Sequence, residues 1–361
     1  MFYHKYRPQF FKEVVGQEIV VKVLKNFLKR DKPPHAYLFA GERGTGKTSV
    51  ARIYAKALNC LQRNDEEPCG KCKICKLFIE NKFLDLIEID AASYRRIEDV
   101  RTIQEHIGFK PLQGKYKVFI IDESHSLTEE ASNALLKTLE EPPQHAIFIL
   151  ATTEPDRILS TIHSRVQRLD FKRINASQII EKLKLISKKE GFEVNEGALY
   201  LIAEEAEGSL RDAETLFERV VLALDNKEKL TEDFVSEFLG YLSLNRVLDF
   251  LEIIKKGDLK ESLDFVLKIY SEGYDLELFL KKILKVLRQL LLAKVNPDYL
   301  KHLSVENSKE TIKRLEKLIA NFELSDIKKL NYLFFEANFN LKKDSSLSLF
   351  PIELAIFQYF D

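Results

Sequence analysis

The chain carries two hydrophobic rhythms. Over its first half, short apolar runs alternate with amphipathic stretches. Ala36–Ala40 (Ala-Tyr-Leu-Phe-Ala) predicts a buried strand that leads straight into a glycine-rich turn. Leu84–Ile89 predicts a second strand, Tyr116–Ile121 a third, Ala146–Ala151 a fourth and Val166–Phe171 a fifth. Helical patterns such as Glu129–Leu139 lie between them. Strands alternating with helices predict a parallel sheet with helices on both faces.

The second half follows the 3.6-residue helical period. Leu199, Ile202, Ala203 and Ala206 fall on one face, as do Val247, Phe250, Leu251 and Ile254, and Leu263, Val266, Leu267 and Tyr270. The strongest stripe is Leu276, Phe279, Leu280, Ile283, Leu284, Leu287, Leu290 and Leu291. A helical bundle explains such stripes by core packing; a partner-binding face is the second reading. The expected organisation is a sheet domain over 1–175, a small helical domain over 176–239 that Gly240 ends, and a second helical domain over 240–361.

Composition sharpens this division. Eight of ten prolines lie at or before Pro155, and the 141 residues from Asp156 to Asn296 contain none. That suits helix following helix. A length of 361 residues fits two or three domains. Apolar residues at 45% and charged residues at 31% place the chain among folded proteins. Lys plus Arg and Asp plus Glu both number 56, so a uniformly basic nucleic-acid coat is excluded while a local basic patch is not. No run approaches the roughly 18 apolar residues of a membrane span, and the start lacks a secretory pattern. All four cysteines fall between Cys60 and Cys75, which suits one local site in a reducing compartment. A cytoplasmic protein is expected.

The turn after the first strand carries the clearest chemistry. Gly41, Glu42, Arg43, Gly44, Thr45, Gly46, Lys47 and Thr48 satisfy G-x-x-x-x-G-K-[ST] in full. Its glycines let backbone N–H groups approach phosphate oxygens, Lys47 brings charge to the β and γ phosphates, and the Thr48 hydroxyl ligates Mg²⁺. A chance glycine-rich turn is the bland alternative, but a strand precedes this one and an amphipathic stretch (Ser49–Asn59) follows. About 70 residues on, Val118–Ile121 ends in Asp122 and Glu123. Beyond a P-loop, the first acid is expected near Mg²⁺ and the second to polarise an attacking water. His125 completes a D-E-x-H run; it is read as structural.

Cys60, Cys69, Cys72 and Cys75 are separated by eight, two and two residues. Four thiolates in this spacing suit tetrahedral Zn²⁺, with Pro68 and Gly70 shaping the knuckle. An Fe–S cluster or free thiols remain open. With no fifth cysteine or neighbouring carboxylate in evidence, the metal is expected to be structural.

Together these features resemble the gamma/tau subunits of bacterial DNA polymerase III, the motor subunits of the sliding-clamp loader. The resemblance covers most of the chain. It rests on the P-loop, the cysteine insert, Tyr6-Arg7-Pro8 with Val14-Val15-Gly16-Gln17, and Ile87–Ser93. It rests also on Asn133–Pro143, Ala151-Thr152-Thr153, Ser164-Arg165 and Gly208–Ala213. It implies an α/β AAA+ P-loop ATPase domain with a parallel sheet and zinc insert, a three-helix lid and an all-α collar that oligomerises. It implies ATP, Mg²⁺ and Zn²⁺ as ligands, with Arg7 and Val15 in the segment that encloses adenine. Thr153 would be a first sensor of the γ-phosphate, Arg211 a second sensor from the lid, and Arg165 an arginine finger given to the neighbouring subunit. A surface or salt-bridging arginine is the bland reading of both. Implied partners are other clamp-loader subunits in a hetero-pentamer, the sliding clamp, primed DNA and single-strand-binding protein, with no membrane.

Three departures stand out. Val166 follows the finger arginine where many members have cysteine. Tyr94 occupies a place that is often basic in the segment facing DNA, where Arg95, Arg96 and Arg101 remain phosphate-contact candidates. The 361 residues end near the close of the expected collar and do not include the long tau extension. The delta-prime subunit shares the fold, but its phosphate loop is commonly degraded, whereas this loop is intact. A helicase or branch-migration motor shares the P-loop and D-E-x-H features and is the alternative function. A non-catalytic nucleotide-binding scaffold and a small-molecule kinase fit less well.

Overall fold

The computed structural model describes residues 1–361 except 65, 94–106, 225–228, 241, 243, 301–302, 304–308 and 344–348. The chain divides into two compact units, Met1–Glu190 with Ala203–Arg219, and Gly191–Ile202 with Val220–Asp361. They are described separately.

In the first unit, β1 (Ala36–Ala40), β2 (Leu86–Asp90), β3 (Lys117–Asp122), β4 (Ala146–Thr152) and β5 (Gln167–Asp170) form one sheet in the order β2-β3-β4-β1-β5. Every pairing is parallel. The central strands β1 and β4 are buried at every position, so they read as unbroken apolar runs. β2 and β5 are edges and keep charged residues outward; β5 runs Gln-Arg-Leu-Asp with only Leu169 buried. The second strand starts two residues and ends one residue later than Leu84–Ile89, and the fifth is one residue shorter at each end than Val166–Phe171.

Helices flank both faces. α1 (Phe2–Lys5), α2 (Glu18–Lys29), α3 (Lys47–Asn59), α4 (Lys73–Ile79), α5 (Glu129–Glu140), α6 (Ser160–His163) and α7 (Ala176–Glu190) belong to this unit; α8 (Glu196–Glu205) and α9 (Leu210–Leu222) are each divided between the two units, α8 after Ile202 and α9 after Arg219. Alternate residues of β1 feed different cores. Tyr37 and Phe39 pack with Leu24 of α2 and Val50 and Tyr54 of α3. Ala36 and Leu38 pack with Leu135 and Leu139 of α5. The register Ala40↔Thr152 and Ile121↔Leu150 sets the carboxyl ends of β1, β3 and β4 side by side. Ligands of open parallel sheets bind at such ends.

The second unit is helical among the described residues. It holds α10 (Glu232–Phe238), α11 (Leu244–Lys256), α12 (Leu259–Ser271), α13 (Leu276–Val295), α14 (Lys309–Asn321), α15 (Leu324–Lys343) and α16 (Phe350–Phe360). Phe250 anchors its core, with the rings of Phe265, Phe279 and Phe334 at 5.5, 5.3 and 6.0 Å. The α11 and α13 stripes lie in this core as their spacing predicts. On α12 the buried face is Ser262, Val266 and Ile269, while Leu267 and Tyr270 are exposed. A short helix with apolar residues around much of its girth leaves the face to be chosen by its neighbours. Among the described residues no helix is long and apolar enough to cross a membrane.

Candidate nucleotide and metal sites

β1 ends at Ala40, and the chain turns through three glycines with positive φ before α3 begins. Gly46 is the N-cap of α3 at φ 100°, a backbone shape that side chains resist. Gly44 could carry no side chain either, since a Cβ there would lie 1.8 Å from Ser209 Oγ. The first turn of α3 thus opens toward the cavity with its N–H groups unclaimed by the helix. Lys47 is buried, and its Nζ donates to the carbonyls of Gly41 (2.6 Å) and Glu42 (2.8 Å). Burial pushes its ammonium below the ordinary value, against the pull of Glu123 and Asp122. Thr45 is held by its hydroxyl on Glu42 O at 2.8 Å.

The acids meet the loop as the strand register requires. Thr48 Oγ1 donates to Asp122 Oδ2 at 2.8 Å across 74 positions of sequence. Hydroxyl and carboxylate therefore stand where they could share one cation. Glu123 follows in the left-handed region at φ 48°, unusual for a residue with a side chain. Thr153, just past β4, donates to Glu123 Oε2 at 3.2 Å. His125 is more than a packing residue. Its Nδ1 lies 3.0 Å from Thr152 Oγ1 and 3.5 Å from Glu123 Oε2, and its Nε2 lies 3.3 Å from Glu154 Oε1. It ties Glu123 to the end of β4.

A cavity of about 620 Å³ runs from this loop. Arg43, Gly44, Thr45, Gly46, Lys47 and Thr48 line it, as do Asp122, Glu123, Arg7, Val14, Val15, Ile174 and Arg211. Gly41, Glu42, Thr153 and Arg165 do not. A side chain at Gly41 would collide with Phe171 O, at 2.4 Å from the Cβ, and Glu42 faces Arg173 at 3.3 Å. Arg7 is fixed by its Nε on Ser49 Oγ at 3.0 Å; burial, then nearby Arg52, brings its guanidinium down to about 10, still protonated at neutrality. Gln17 is buried, exchanging hydrogen bonds with the backbone of Lys172 at 2.7 and 3.1 Å. Arg211 lies over the Tyr3 ring at 4.8 Å, and the Leu210 N–H reaches Gly44 O at 3.2 Å. One residue escaped sequence reasoning, Glu214; His125 acts structurally, as its sequence context suggested, though its partners could not be read from the chain. The signal for Glu214 was an acid on the same helical face as Leu210 and Phe217.

Arg165 stands elsewhere. Its Nη2 pairs with Glu140 Oε1 at 2.6 Å and its Nη1 donates to Thr161 O at 2.7 Å. Tyr94, Arg95, Arg96 and Arg101 lie outside the described residues.

The four cysteine sulfurs lie within 4.8 Å of one another. Cys69 and Cys75 are 3.9 Å apart, and Cys75 and Cys60 3.7 Å. A tetrahedral ion with Zn–S bonds of about 2.3 Å places its sulfurs roughly 3.8 Å apart, so the donors fit a single ion. A polynuclear cluster, with sulfides between the thiolates, needs wider spacing. Burial disfavours the Cys69 thiolate, yet the Lys71 and Cys72 N–H groups outweigh it and hold the thiol at about 6. Cys60 caps α3 and Cys72 caps α4, so the cluster links the phosphate helix to α4. Glu67 does bring a carboxylate near in sequence. Its oxygens instead accept from the Phe11 and Lys12 N–H groups at 2.9 and 3.0 Å and pair with Lys25. Stripping metal with a chelator is expected to open residues 60–75 to limited proteolysis. An unchanged cleavage pattern there would count against a structural ion.

A P-loop after β1, the strand beside the centre of a five-stranded parallel sheet, with two acids at the end of β3, defines a P-loop domain of the AAA+ class. Solved structures agree on the fold. The Thermotoga maritima RuvB Holliday junction branch migration motor superposes with a TM-score of 0.50 at 22% identity, over 69% of this chain and 79% of that one. The chain belongs to the family of gamma and tau subunits of DNA polymerase III. Residues 230–345 match DNA polymerase III subunits gamma and tau domain III. Residues 178–221 match the ATPase lid domain of the DNA polymerase III clamp loader subunit, and residues 16–175 match a model described as DNA polymerase III, delta subunit. DNA polymerase III subunit gamma of Buchnera aphidicola subsp. Baizongia pistaciae is 37% identical over 361 residues, covering 99% of this chain and 95% of that one. DNA polymerase III subunit tau of Bacillus subtilis is 40% identical over 328 residues, 90% of this chain and 58% of that one. The gamma/tau subunit of Mycoplasma genitalium is 41% identical over 283 residues, 78% and 47%. The chain thus spans about half the length of these longer relatives.

Proposed function

We propose that this chain is the ATP-hydrolysing motor of a sliding-clamp loader, placing the clamp on primed DNA during replication. The observation that carries the reading is the Thr48–Asp122 pair with Glu123 beside it, in a gamma/tau chain whose P-loop is complete. Lys47 would leave the Gly41 and Glu42 carbonyls for the β and γ phosphates. Thr48 and Asp122 would hold Mg²⁺, which neutralises charge on the phosphate oxygens. Glu123 would orient and deprotonate the attacking water, steadied by Thr153. Arg211 would report the γ-phosphate from the lid at 176–239, and the helices of 240–361 would form the collar. The zinc knuckle would brace α3.

Because Arg165 is absent from its own cavity, it is suited to serve a neighbour's. Hydrolysis would then depend on assembly with other loader subunits. ATP energy would drive closure and release, and DNA would not be chemically altered. The purified chain is expected to hydrolyse ATP slowly alone and faster with partner subunits, clamp and primed DNA. Ring loading onto nicked circular DNA without unwinding supports this; continuous strand separation supports the helicase reading instead. The RuvB likeness, at 22% identity, speaks to fold alone.

A further inference from the structure

Glu214 is a carboxyl in an unusual place. It sits on α9 one turn beyond Leu210, is only 5% exposed, and borders the nucleotide cavity. Among the described residues its side chain makes no hydrogen bond or ion pair, and its oxygens are not sealed off from the cavity it borders. A largely buried carboxyl that no protein group engages is free to pair with a ligand there.

The fold shows which part of a ligand it would meet. The N-terminal end of α9 touches the phosphate loop through Leu210 and Gly44. Eight residues on, Glu218 accepts the Phe2 N–H at 2.9 Å. Glu214 lies between, past the phosphate end, in a cavity whose apolar walls are Val14, Val15 and Ile174. Burial raises this carboxyl to about 7 against the opposing pull of Lys182, so the neutral acid is well populated at neutral pH. Lys182 itself donates to Tyr6 O at 3.2 Å. The other charged or titratable groups around the cavity include His4, Arg7, Glu13, Arg43 and Arg211.

We propose that the Glu214 carboxyl reads the adenine base and so helps set the preference for ATP over GTP. A carboxylic acid presents an O–H donor beside a carbonyl acceptor. Adenine presents the complement, the N1 acceptor beside the N6 amino donor. Guanine instead offers two adjacent donors, N1–H and N2–H, which suit a carboxylate. The protonation state of one side chain therefore favours one purine over the other. This rests on the nucleotide cavity assigned above.

The test measures binding of Mg-ATP and Mg-GTP to the full chain by calorimetry, from about pH 6 to about pH 8.5, for wild type, Glu214→Gln and Glu214→Leu. The acid's donor is present below about 7 and lost above it. The wild-type ATP-over-GTP preference is therefore expected to fall about tenfold across the range, the worth of one bidentate base contact. Glu214→Gln keeps a donor beside an acceptor, so its preference should stay high and flat with pH. Every other group around the cavity is common to wild type and that variant, so their effects cancel. Glu214→Leu, apolar and suited to a buried site, should lose about tenfold of the preference at low pH. If wild type binds ATP and neither variant changes the ratio or its pH slope, Glu214 does not read the base. If wild type binds no ATP, the motor assignment itself falls.

Discussion

Replacing Lys47 with alanine is expected to weaken ATP binding by roughly 100-fold or more, because charge-assisted hydrogen bonds to two phosphates are lost at about 1.5–3 kcal/mol each. The geometry supports a binding effect rather than a folding one. Nζ rests on the carbonyls of Gly41 and Glu42, and Glu42 is exposed. Those oxygens can take water when the lysine is gone. Burial already disfavours the ammonium, so truncation also removes an unfavourable desolvation. The thermal midpoint of Lys47→Ala should therefore stay near wild type while nucleotide binding, read by calorimetry, collapses. A variant that binds ATP normally would remove the phosphate loop from the account. A variant that unfolds would show the lysine to be structural.

How much of this site could be read from the chain depended on how local each feature was. The P-loop and cysteine knuckle are contiguous, and their chemistry survives being read as strings. Asp122 and Glu123 were recognisable because an apolar strand ends on them. The meeting of Thr48 with Asp122 depends on β1 lying one strand from β3 across β4, a register that no local pattern states. His125 looked like filler in sequence because its partners Thr152 and Glu154 arrive from the end of β4. Glu214 could have been found as an acid on a buried helical face, but nothing in sequence says that the face borders a cavity. The α12 stripe misled for the reverse reason. Its apolar residues outnumber what one face can bury, and α11 and α16 chose Val266 and Ile269 over Leu267 and Tyr270.

Arg165 yields the other large effect, and it separates binding from chemistry. Arg165→Ala is expected to leave ATP affinity unchanged and to slow hydrolysis in the assembled loader by about a thousandfold, the usual scale for a finger supplied in trans. The residue lines no part of its own chain's nucleotide cavity, so a monomer has nothing to lose when it is removed. Its present partner is Glu140, with the two side chains 34% and 50% exposed. Such an exposed pair contributes about 0–1 kcal/mol and is easily traded for a phosphate. Hence Glu140→Ala, which frees the guanidinium, should at least preserve hydrolysis in the assembly, whereas Arg165→Ala abolishes most of it. The two variants break the same ion pair, so a merely structural contact would make them behave alike. Single-turnover hydrolysis, measured on the monomer and on the complex, decides between the readings. Equal rates for wild type and Arg165→Ala in the complex would leave Arg165 as a surface arginine, and assembly would no longer explain control of the ATPase.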